Sequence, residues 1–343
     1  MTPPRAARAL LLLLLFATAA CRDEARGGRT AIRVVGSSTV FPFTATVAET
    51  FVRRYPDVPA PVVESTGTGG GMRLFCAGVG AAFPDIEDAS RRMEPSEYRR
   101  CAANGAGRLL EIEIGRDGVT FARAVAGPRW RLTSALLYRA LAAAPGGRPN
   151  AARLWRDVDP ALPATAIRIY GPPATSGTRD ALAELILRKG CAAVDPAFAA
   201  TEAGRARCVR LREDGAYVDM GENDNMVVQK LRADPNAIGL LGYGYLRENA
   251  DAVAGLSIDG VAPTYASIAS GRYPGSRPLF LYVKQAHLAA VPRLGDLLRV
   301  YAELWAPGGA LVERGLIAAP DAVRARSAAV IAQGVPLDPA TLK

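Results

Sequence analysis

Three times along this chain an apolar segment leads into a loop of glycine and hydroxyl residues, and the loop leads into a stretch with helical spacing. The loops are residues 36–39, 66–71 and 171–178. The first backbone N–H groups of a helix have no partner within the helix, and the helix dipole places partial positive charge at that end. None of the three loop tips contains a carboxylate. The repeated pattern therefore predicts one oxyanion bound by several helix N-termini.

The glycine-rich loop, Thr-Gly-Thr-Gly-Gly-Gly at 66–71, follows the apolar run 60–63 and precedes a short helical segment that ends at Gly78. Glycine has no side chain, so a ligand can approach the backbone closely. No Gly-Lys-Ser/Thr follows the glycines, and the loop therefore does not fit the P-loop pattern. A bound nucleotide is disfavoured.

Strand and helix patterns alternate through the rest of the chain, which is typical of an α/β sheet with helices on its faces. Residues 109–114 and 119–125 alternate like strands, and residues 116–118 (Arg-Asp-Gly) predict a turn between them. One set of strands and helices precedes this turn, a second set follows it, and a return strand comes last. We therefore predict two lobes with the ligand in the cleft between them. The predicted lobes are residues 31–118 with 255–343, and residues 119–254.

The first 20 residues have the pattern of a signal peptide. Arg5 and Arg8 form a positive region, residues 9–16 an apolar core, and residues 17–20 a small-residue cleavage region. The apolar core is too short to span a bilayer. The pattern predicts export, which places the mature chain in the periplasm or on the outer face of the cell membrane.

A cysteine, Cys21, follows the cleavage region at once, as in bacterial lipoproteins. Thr18 stands where such signals usually carry leucine or valine, so cleavage after Ala19 or Ala20 without lipidation stays an alternative. We predict lipidation at Cys21, and hence a lipid anchor in the membrane. Residues 21–30 are polar and would form a tether between the anchor and the folded part.

The chain of 343 residues carries a formal net charge of +9, and most of the excess is arginine scattered along its length. A nucleic-acid surface requires clustered cations with aromatic residues between them, which this sequence lacks. We therefore expect no nucleic-acid partner. A mild preference for anionic ligands is what the charge supports.

Four cysteines remain after Cys21, and the chain has a single histidine, His287. No C-x-x-C is present, so we expect no metal site and no other cofactor. An exported chain favours disulfide bonds. Of the three possible pairings, we prefer the one that closes the shortest loops and keeps each pair within one lobe, Cys76–Cys101 with Cys191–Cys208.

Ser176 could be a nucleophile, but a Ser-His-Asp triad requires a histidine. The only candidate, His287, lies in a helix-like segment and is interpreted as a surface residue. A hydrolase is therefore disfavoured, and we expect no enzymatic activity.

Several segments match a known family in their order along the chain and cover nearly all of it after Ala31. They are residues 36–42, 67–71, 85–91, 170–171, 176–178, 222–229, 237–243 and 271–284. Together they resemble the phosphate-binding proteins of bacterial phosphate ABC transporters, which have the type 2 periplasmic-binding-protein fold. The resemblance implies an α/β, two-lobed fold with the ligand cleft between the lobes.

The resemblance also implies the residues that bind the ligand. Hydroxyl and backbone groups of the three loops would act as neutral donors, and one arginine would act as the cation. The implied phosphate ligands are Ser38, Thr39, Thr68, Gly69, Ser90, Arg91, Ser176, Gly177 and Thr178.

This sequence departs from the family pattern where charge is concerned. Many members have aspartate where this chain has Arg91, and that aspartate accepts the proton of hydrogen phosphate. Members also carry an arginine and an aspartate just before Ser-Gly-Thr, where this chain has Pro172 and Ala174. The proton acceptor, and with it the discrimination against sulfate, stays open. The candidates are Asp85, Asp88 and Asp224.

The function that the resemblance implies is a monomeric, extracytoplasmic receptor that binds inorganic phosphate and delivers it to a membrane permease. A second hypothesis is a binding protein for another tetrahedral oxyanion, such as sulfate or molybdate. A third, from a different class, is a secreted phosphatase-like enzyme. The affinity and the identity of the permease do not follow from the sequence.

Overall fold

The computed structural model of the chain describes residues 31–174, 176–221 and 224–342. The predicted signal peptide at 1–20, the tether at 21–30 and the lipidation site Cys21 lie outside the described residues. Within the described ranges, no helix has both the length and the apolar composition needed to cross a membrane.

The described residues form an α/β structure. Its strands are β1 Arg33–Gly36, β2 Val62–Ser65, β3 Ile86–Ala89, β4 Leu109–Ala124, β5 Ile169–Gly171, β6 Tyr217–Asp219, β7 Ile238–Gly242, β8 Val253–Leu256 and β9 Ser276–Lys284.

Helices cover the faces of the sheet. They are α1 Phe41–Arg54, α2 Thr68–Phe75, α3 Pro95–Ala103, α4 Ser134–Leu141, α5 Trp155–Val158, α6 Gly177–Ala181, α7 Arg188–Val194, α8 Pro196–Ala200, α9 Glu202–Cys208, α10 Asp224–Ala233, α11 Tyr243–Glu248, α12 Tyr265–Ala269, α13 Gln285–Ala290, α14 Leu294–Leu304, α15 Ala310–Glu313 and α16 Asp321–Gln333. A π-helical segment, Leu182–Leu187, joins α6 to α7.

The strands follow the order β2-β1-β3-β9-β4-β7-β5-β6, and β8 pairs with β4. In the first half, β1 is parallel to β2 and β3, while β9 is antiparallel to β3 and β4. In the second half, β5 is parallel to β6 and β7, while β4 is antiparallel to β7 and β8. Strand β4 therefore belongs to both halves, and the lobes meet along it.

The turn predicted at residues 116–118 is wrong, because β4 runs without interruption from Leu109 to Ala124. Strand β9 pairs with this segment, so that Asp117 lies opposite Arg277 and Gly118 opposite Ser276. Pairing with β9 satisfies the backbone hydrogen bonds of these polar residues. This tertiary contact overrides the local preference of Arg-Asp-Gly for a turn. An irregularity between Glu113 and Gly115 is the only shift in the β4–β9 register.

The cores follow the two halves of the sheet. Along α1 and at its N-cap, apolar residues recur at steps of three and four, as expected of a helix with one buried face. They are buried in one core with residues of β1, β3 and α14: Val40, Phe43, Val47 and Phe51. In the second half, α4, the π-helical segment and β5 enclose a separate core. Ile258, Ile268 and Tyr273 pack into that second core, although the sequence assigns residues 255–343 to the first lobe. We therefore propose that the second lobe extends to Gly275.

Two disulfide bonds join Cys76 to Cys101 and Cys191 to Cys208, the pairing that the sequence favours. The first bond connects the end of α2 to α3 in one lobe, and the second connects α7 to α9 in the other. All four cysteines are buried.

The interpretation of His287 as a surface residue is wrong, because its side chain is buried. Its Nδ1 lies 2.6 Å from Oδ1 of Asp85, and its Nε2 accepts a hydrogen bond from the backbone N–H of Gly80 at 2.9 Å. The second oxygen of Asp85 accepts from the N–H of Arg33. The partners of His287, Asp85 and Gly80, are far away in sequence. The residues next to His287 therefore could not predict that it is buried. His287 ties α13 to the start of β1.

Candidate anion-binding site

The first loop connects β1 to α1 through Gly36. Gly36 has a φ of +134°, and a Cβ there would lie 2.1 Å from the carbonyl oxygen of Asp88. Only glycine fits both conditions. After it, the backbone N–H of Ser37 donates to that same carbonyl, and the N–H of Thr39 donates to the Ser37 hydroxyl. The sequence predicts Ser38 or Thr39 as the helix cap, but the residue at that position is Val40, with no side-chain cap.

The second loop connects β2 to α2. Gly67, with a φ of +69°, precedes the helix, and Thr68 is its first residue. The Thr68 hydroxyl lies 3.0 Å from the Ser90 hydroxyl and accepts from the backbone N–H of Ser90 at 3.1 Å. These bonds join the N-terminus of α2 to the end of β3, so that two predicted ligands lie side by side.

The third loop connects β5 to α6 and belongs to the second lobe. The Ser176 hydroxyl caps α6 by accepting from the N–H of Thr178 at 3.3 Å. Gly177 lies directly against Thr39 of the first lobe. A Cβ on Gly177 would lie 1.8 Å from Thr39 Oγ1 and 2.7 Å from the Thr39 nitrogen. The first and third loops therefore touch across the cleft.

A cavity of about 440 Å³ opens at this contact. Five of the predicted ligands lie on its wall: Ser38, Thr39, Ser176, Gly177 and Thr178. The rest of the wall comes from Pro42, Phe43, Asp117, Gly242, Tyr243, Gly244, Tyr245, Glu248, Glu313, Arg314 and Gly315. Hydroxyls and helix N-termini from both lobes thus face a common space, which suits a small polar anion.

The other predicted ligands, Thr68, Gly69, Ser90 and Arg91, are not part of that wall. Their loop nevertheless packs against the first one, because a Cβ on Gly71 would lie 2.6 Å from the Cα of Gly36. The glycine loop and the first loop are therefore held in contact within the first lobe.

Arg91 binds a carboxylate in this structure. Its two terminal nitrogens donate to the two oxygens of Glu97, at 2.9 and 2.7 Å, and a quarter of its side chain is exposed. Glu97 also accepts from the backbone N–H of Glu94 in the capping box of α3. The role of Arg91 as the cation of the site stays a prediction.

A cation that the sequence analysis includes in the matching segment 271–284, but not among the phosphate ligands, lies at the contact between the lobes. Arg277, at the start of β9, donates through Nη2 to Thr39 Oγ1 at 2.6 Å and to the carbonyl oxygen of Gly177 at 2.7 Å. Its Nε donates to Asp117 Oδ2 at 3.3 Å. A clue was present in the sequence: an arginine next to the strongly apolar strand 279–283 is unusual unless its charge is paired.

The candidate proton acceptors have different surroundings. Asp85 is engaged by His287 and by the N–H of Arg33, at the far end of β3 from the loops. Asp88 is buried and accepts from the Thr44 hydroxyl at 2.6 Å, and burial raises its pKa to about 7. The side chain of Asp224 lies outside the described part of the structure.

A further buried acid, Glu87, lies under the loops. Its Oε2 is 2.1 Å from where a Cβ of Gly71 would be, and neither carboxyl oxygen has a hydrogen-bond partner among the described residues. Burial, followed by the neighbouring Asp88, raises the Glu87 pKa well above its usual range. A carboxyl group in such surroundings is held in its neutral form.

The geometry agrees with what comparison with known proteins finds. The model of the family described as "PBP superfamily domain" matches residues 23–305 of this chain. The chain belongs to the PBP superfamily. The match confirms the predicted family and the predicted α/β fold with two lobes.

Several known proteins are similar to this chain over most of their length. Protein SphX of Synechococcus elongatus is 30% identical over 295 residues, which cover 82% of this chain and 77% of that protein. The phosphate-binding protein PstS of Staphylococcus saprophyticus is 26% identical over 290 residues, covering 83% and 79%. The crystal structure of a possible phosphate binding protein from Planctomyces limnophilus superposes with a TM-score of 0.68 at 28% identity, covering 89% of this chain and 98% of that one.

Proposed function

We propose that this chain is an extracytoplasmic solute-binding protein that binds inorganic phosphate between its lobes and delivers it to the permease of an ABC transporter. The observation that carries the proposal is the contact of the first and third loops, Thr39 against Gly177, on the wall of a polar cavity. The similarity to a protein named as phosphate-binding and to another named as a possible phosphate binding protein supports phosphate as the ligand.

The proposed binding requires no chemistry on the ligand. Hydroxyls and backbone N–H groups at the helix N-termini donate to the phosphate oxygens, and closing the lobes excludes water, which strengthens each bond. The proposed ligands are those predicted from the sequence: Ser38, Thr39, Thr68, Gly69, Ser90, Arg91, Ser176, Gly177 and Thr178.

We further propose that the chain acts as a monomer outside the cytoplasm, released from a signal peptide at 1–20 and held to the membrane by a lipid on Cys21. The support for export and for the anchor is the sequence pattern of residues 1–21. Mass spectrometry of the mature N-terminus tests it: a lipidated Cys21 is expected, and an unmodified N-terminus contradicts the anchor.

We propose no enzymatic activity for this chain. Ser176 lies on the cavity between the lobes, whereas the histidine of the chain is buried against Asp85 and Gly80 and borders a different cavity. A Ser-His pair cannot form from residues that face separate spaces. Hydrolysis of a phosphate ester by the purified protein would overturn this part of the proposal.

Calorimetric titration of the ligand-free protein with phosphate, arsenate, sulfate and molybdate tests the function. We expect one phosphate site with a Kd in the micromolar range or tighter, about −8 kcal/mol or better. Binding of sulfate or molybdate without binding of phosphate would show that the ligand is wrong.

The same titration tests Arg91. Because Glu97 already holds its guanidinium, we expect Arg91→Ala to weaken phosphate binding by about tenfold, less than the loss of an unpaired cation. Arg92→Ala is the control, since Arg92 binds Glu111 and Thr341 instead. An unchanged affinity in Arg91→Ala removes Arg91 from the proposed ligands.

A further inference from the structure

Arg277 is almost fully buried, with a side chain 2% exposed, at the point where β4 and β9 pass between the lobes. Its guanidinium contacts three groups on three different segments. Nη2 donates to the Thr39 hydroxyl in the first lobe and to the Gly177 carbonyl in the second, while Nε faces Asp117 on the neighbouring strand. The guanidinium therefore lies at the junction of the first and third loops.

One nitrogen of this guanidinium makes no hydrogen bond within the described part of the chain. Nη1 is buried and has no acceptor among the described residues. A buried charged donor without a partner costs more free energy than a neutral one, so a protein retains such a group mainly where an acceptor completes it. The contact at Asp117 is long, at 3.3 Å, and it engages Nε rather than Nη1.

The neighbouring hydroxyl is oriented by the same arginine. Since Thr39 Oγ1 accepts from Nη2, its own proton is left to donate elsewhere. Thr39 lies on the cavity wall beside Asp117 and Gly177. Arg277 is not one of the wall residues, but it bonds directly to two of them, Thr39 and Gly177. The Thr39 hydroxyl and Arg277 Nη1 are thus two donors of one cluster at the lobe contact.

We propose that Arg277 is a ligand of the bound oxyanion, with Nη1 donating to one of its oxygens, and that Asp117 holds the guanidinium in the orientation this requires. The inference rests on the proposed function and adds a residue to its site. It also supplies a countercharge from the strands that join the lobes, where neither Pro172 nor Ala174 of the third loop can supply one. Because Nη2 bonds to both lobes, this contact is complete only when the lobes are closed.

Arg277→Gln tests the inference, since glutamine keeps a donor but removes the charge. We expect phosphate affinity to fall at least about hundredfold, as removing one side of a desolvated charge pair does. Arg277→Lys should recover part of the loss and remain about tenfold weaker than wild type, because one ammonium group cannot replace the planar fork. Arg92→Gln is the matched control and should bind within about threefold of wild type.

The outcomes separate this inference from the function it rests on. If wild type binds phosphate and folded Arg277→Gln binds within threefold of it, the inference is wrong and the function stands. Should Arg277→Gln fail to fold, Arg277→Lys decides, and an unchanged affinity in the lysine variant overturns the inference. If wild type binds sulfate or molybdate instead of phosphate, the proposed ligand fails and the same variants are compared with that oxyanion. Binding of none of these anions by wild type overturns both.

Discussion

At the scale of single residues, the first lobe has two adjacent buried acids on β3, Glu87 and Asp88, which is unusual for charged side chains. Asp88 accepts from Thr44, whose hydroxyl also contacts the hydroxyl of Tyr301, and Glu87 packs against Gly71 on the other side of the strand. Neither acid has a cation as its hydrogen-bond partner among the described residues. The nearby loops therefore face less negative charge than two fully ionised carboxylates would give, because burial raises the pKa of both acids.

The raised pKa of Asp88 predicts how stability depends on pH. The unfolded chain ionises this group near pH 4, whereas the folded protein holds its proton until about pH 7. The stabilising contribution is therefore complete below about pH 4 and is lost as the pH rises towards 7, by about 1.4 kcal/mol per pH unit. In Asp88→Asn the part of this loss that Asp88 causes should disappear, which urea unfolding between pH 4 and 8 measures.

Glu87 contributes a dependence of the same sign and remains in the variant, so the slope should decrease without vanishing. Asp321→Asn, the same substitution at the exposed start of α16, is the control and should leave the slope unchanged. Equal slopes for Asp88→Asn and wild type would mean that Asp88 is already ionised in the folded protein.

At the scale of elements, the decisive contact is the N-terminus of α6 against the loop before α1. The helix is short, and what brings it to Thr39 is the lack of a side chain at Gly177. The strands behind both loops point in the same direction as their neighbours in the sheet, so that each loop emerges at the edge that faces the cleft.

Gly177→Ala should separate the two loops, because its methyl group would overlap Thr39 Oγ1. We expect phosphate affinity to fall by at least about tenfold, whereas the ligand-free protein melts near the wild-type temperature, since its lobes can remain open. Calorimetry and thermal melting measure the two quantities. Gly295→Ala in α14 is the control, because only the flexible end of Arg299 comes within 4 Å of the added carbon. Wild-type affinity in Gly177→Ala would mean that the loops do not meet in the bound state.

At the scale of the whole molecule, the sheet and the cores are divided, but β4 is shared. The chain enters the second lobe along β4 and returns at the start of β9, opposite the same residues. Each lobe has its own buried core and its own disulfide bond. Lobes that are rigid in themselves and joined by adjacent strands are suited to a hinge motion.

Phosphate should therefore compact the protein in solution. We expect the radius of gyration from small-angle X-ray scattering to decrease when phosphate is added to wild type, because the anion bridges loops of both lobes. Gly177→Ala should show no such decrease at a phosphate concentration that saturates it. An identical wild-type profile with and without bound phosphate would contradict closure by the ligand.

Much of the local structure could be predicted because it depends on residues close in sequence. Three features depend on residues that are near one another in sequence. They are the apolar stripe of Val47 and Phe51 on α1, the glycines before α2 and the short disulfide loops. The three glycine- and hydroxyl-rich loops are of this kind, since the residue types that end a strand and begin a helix stand next to one another. The fold could be predicted because the matching segments occur in the family's order along nearly the whole chain.

What the sequence determined by itself is thus which loops can face an anion and the type of fold that holds them. The tertiary structure alone decided which charges accompany the loops. Arg277 bonds to Asp117, 160 positions away in sequence, through the register of β4 and β9. Arg91 donates to Glu97, and the buried His287 contacts Asp85. Such pairings depend on strand register and packing between distant segments, and no local periodicity encodes them.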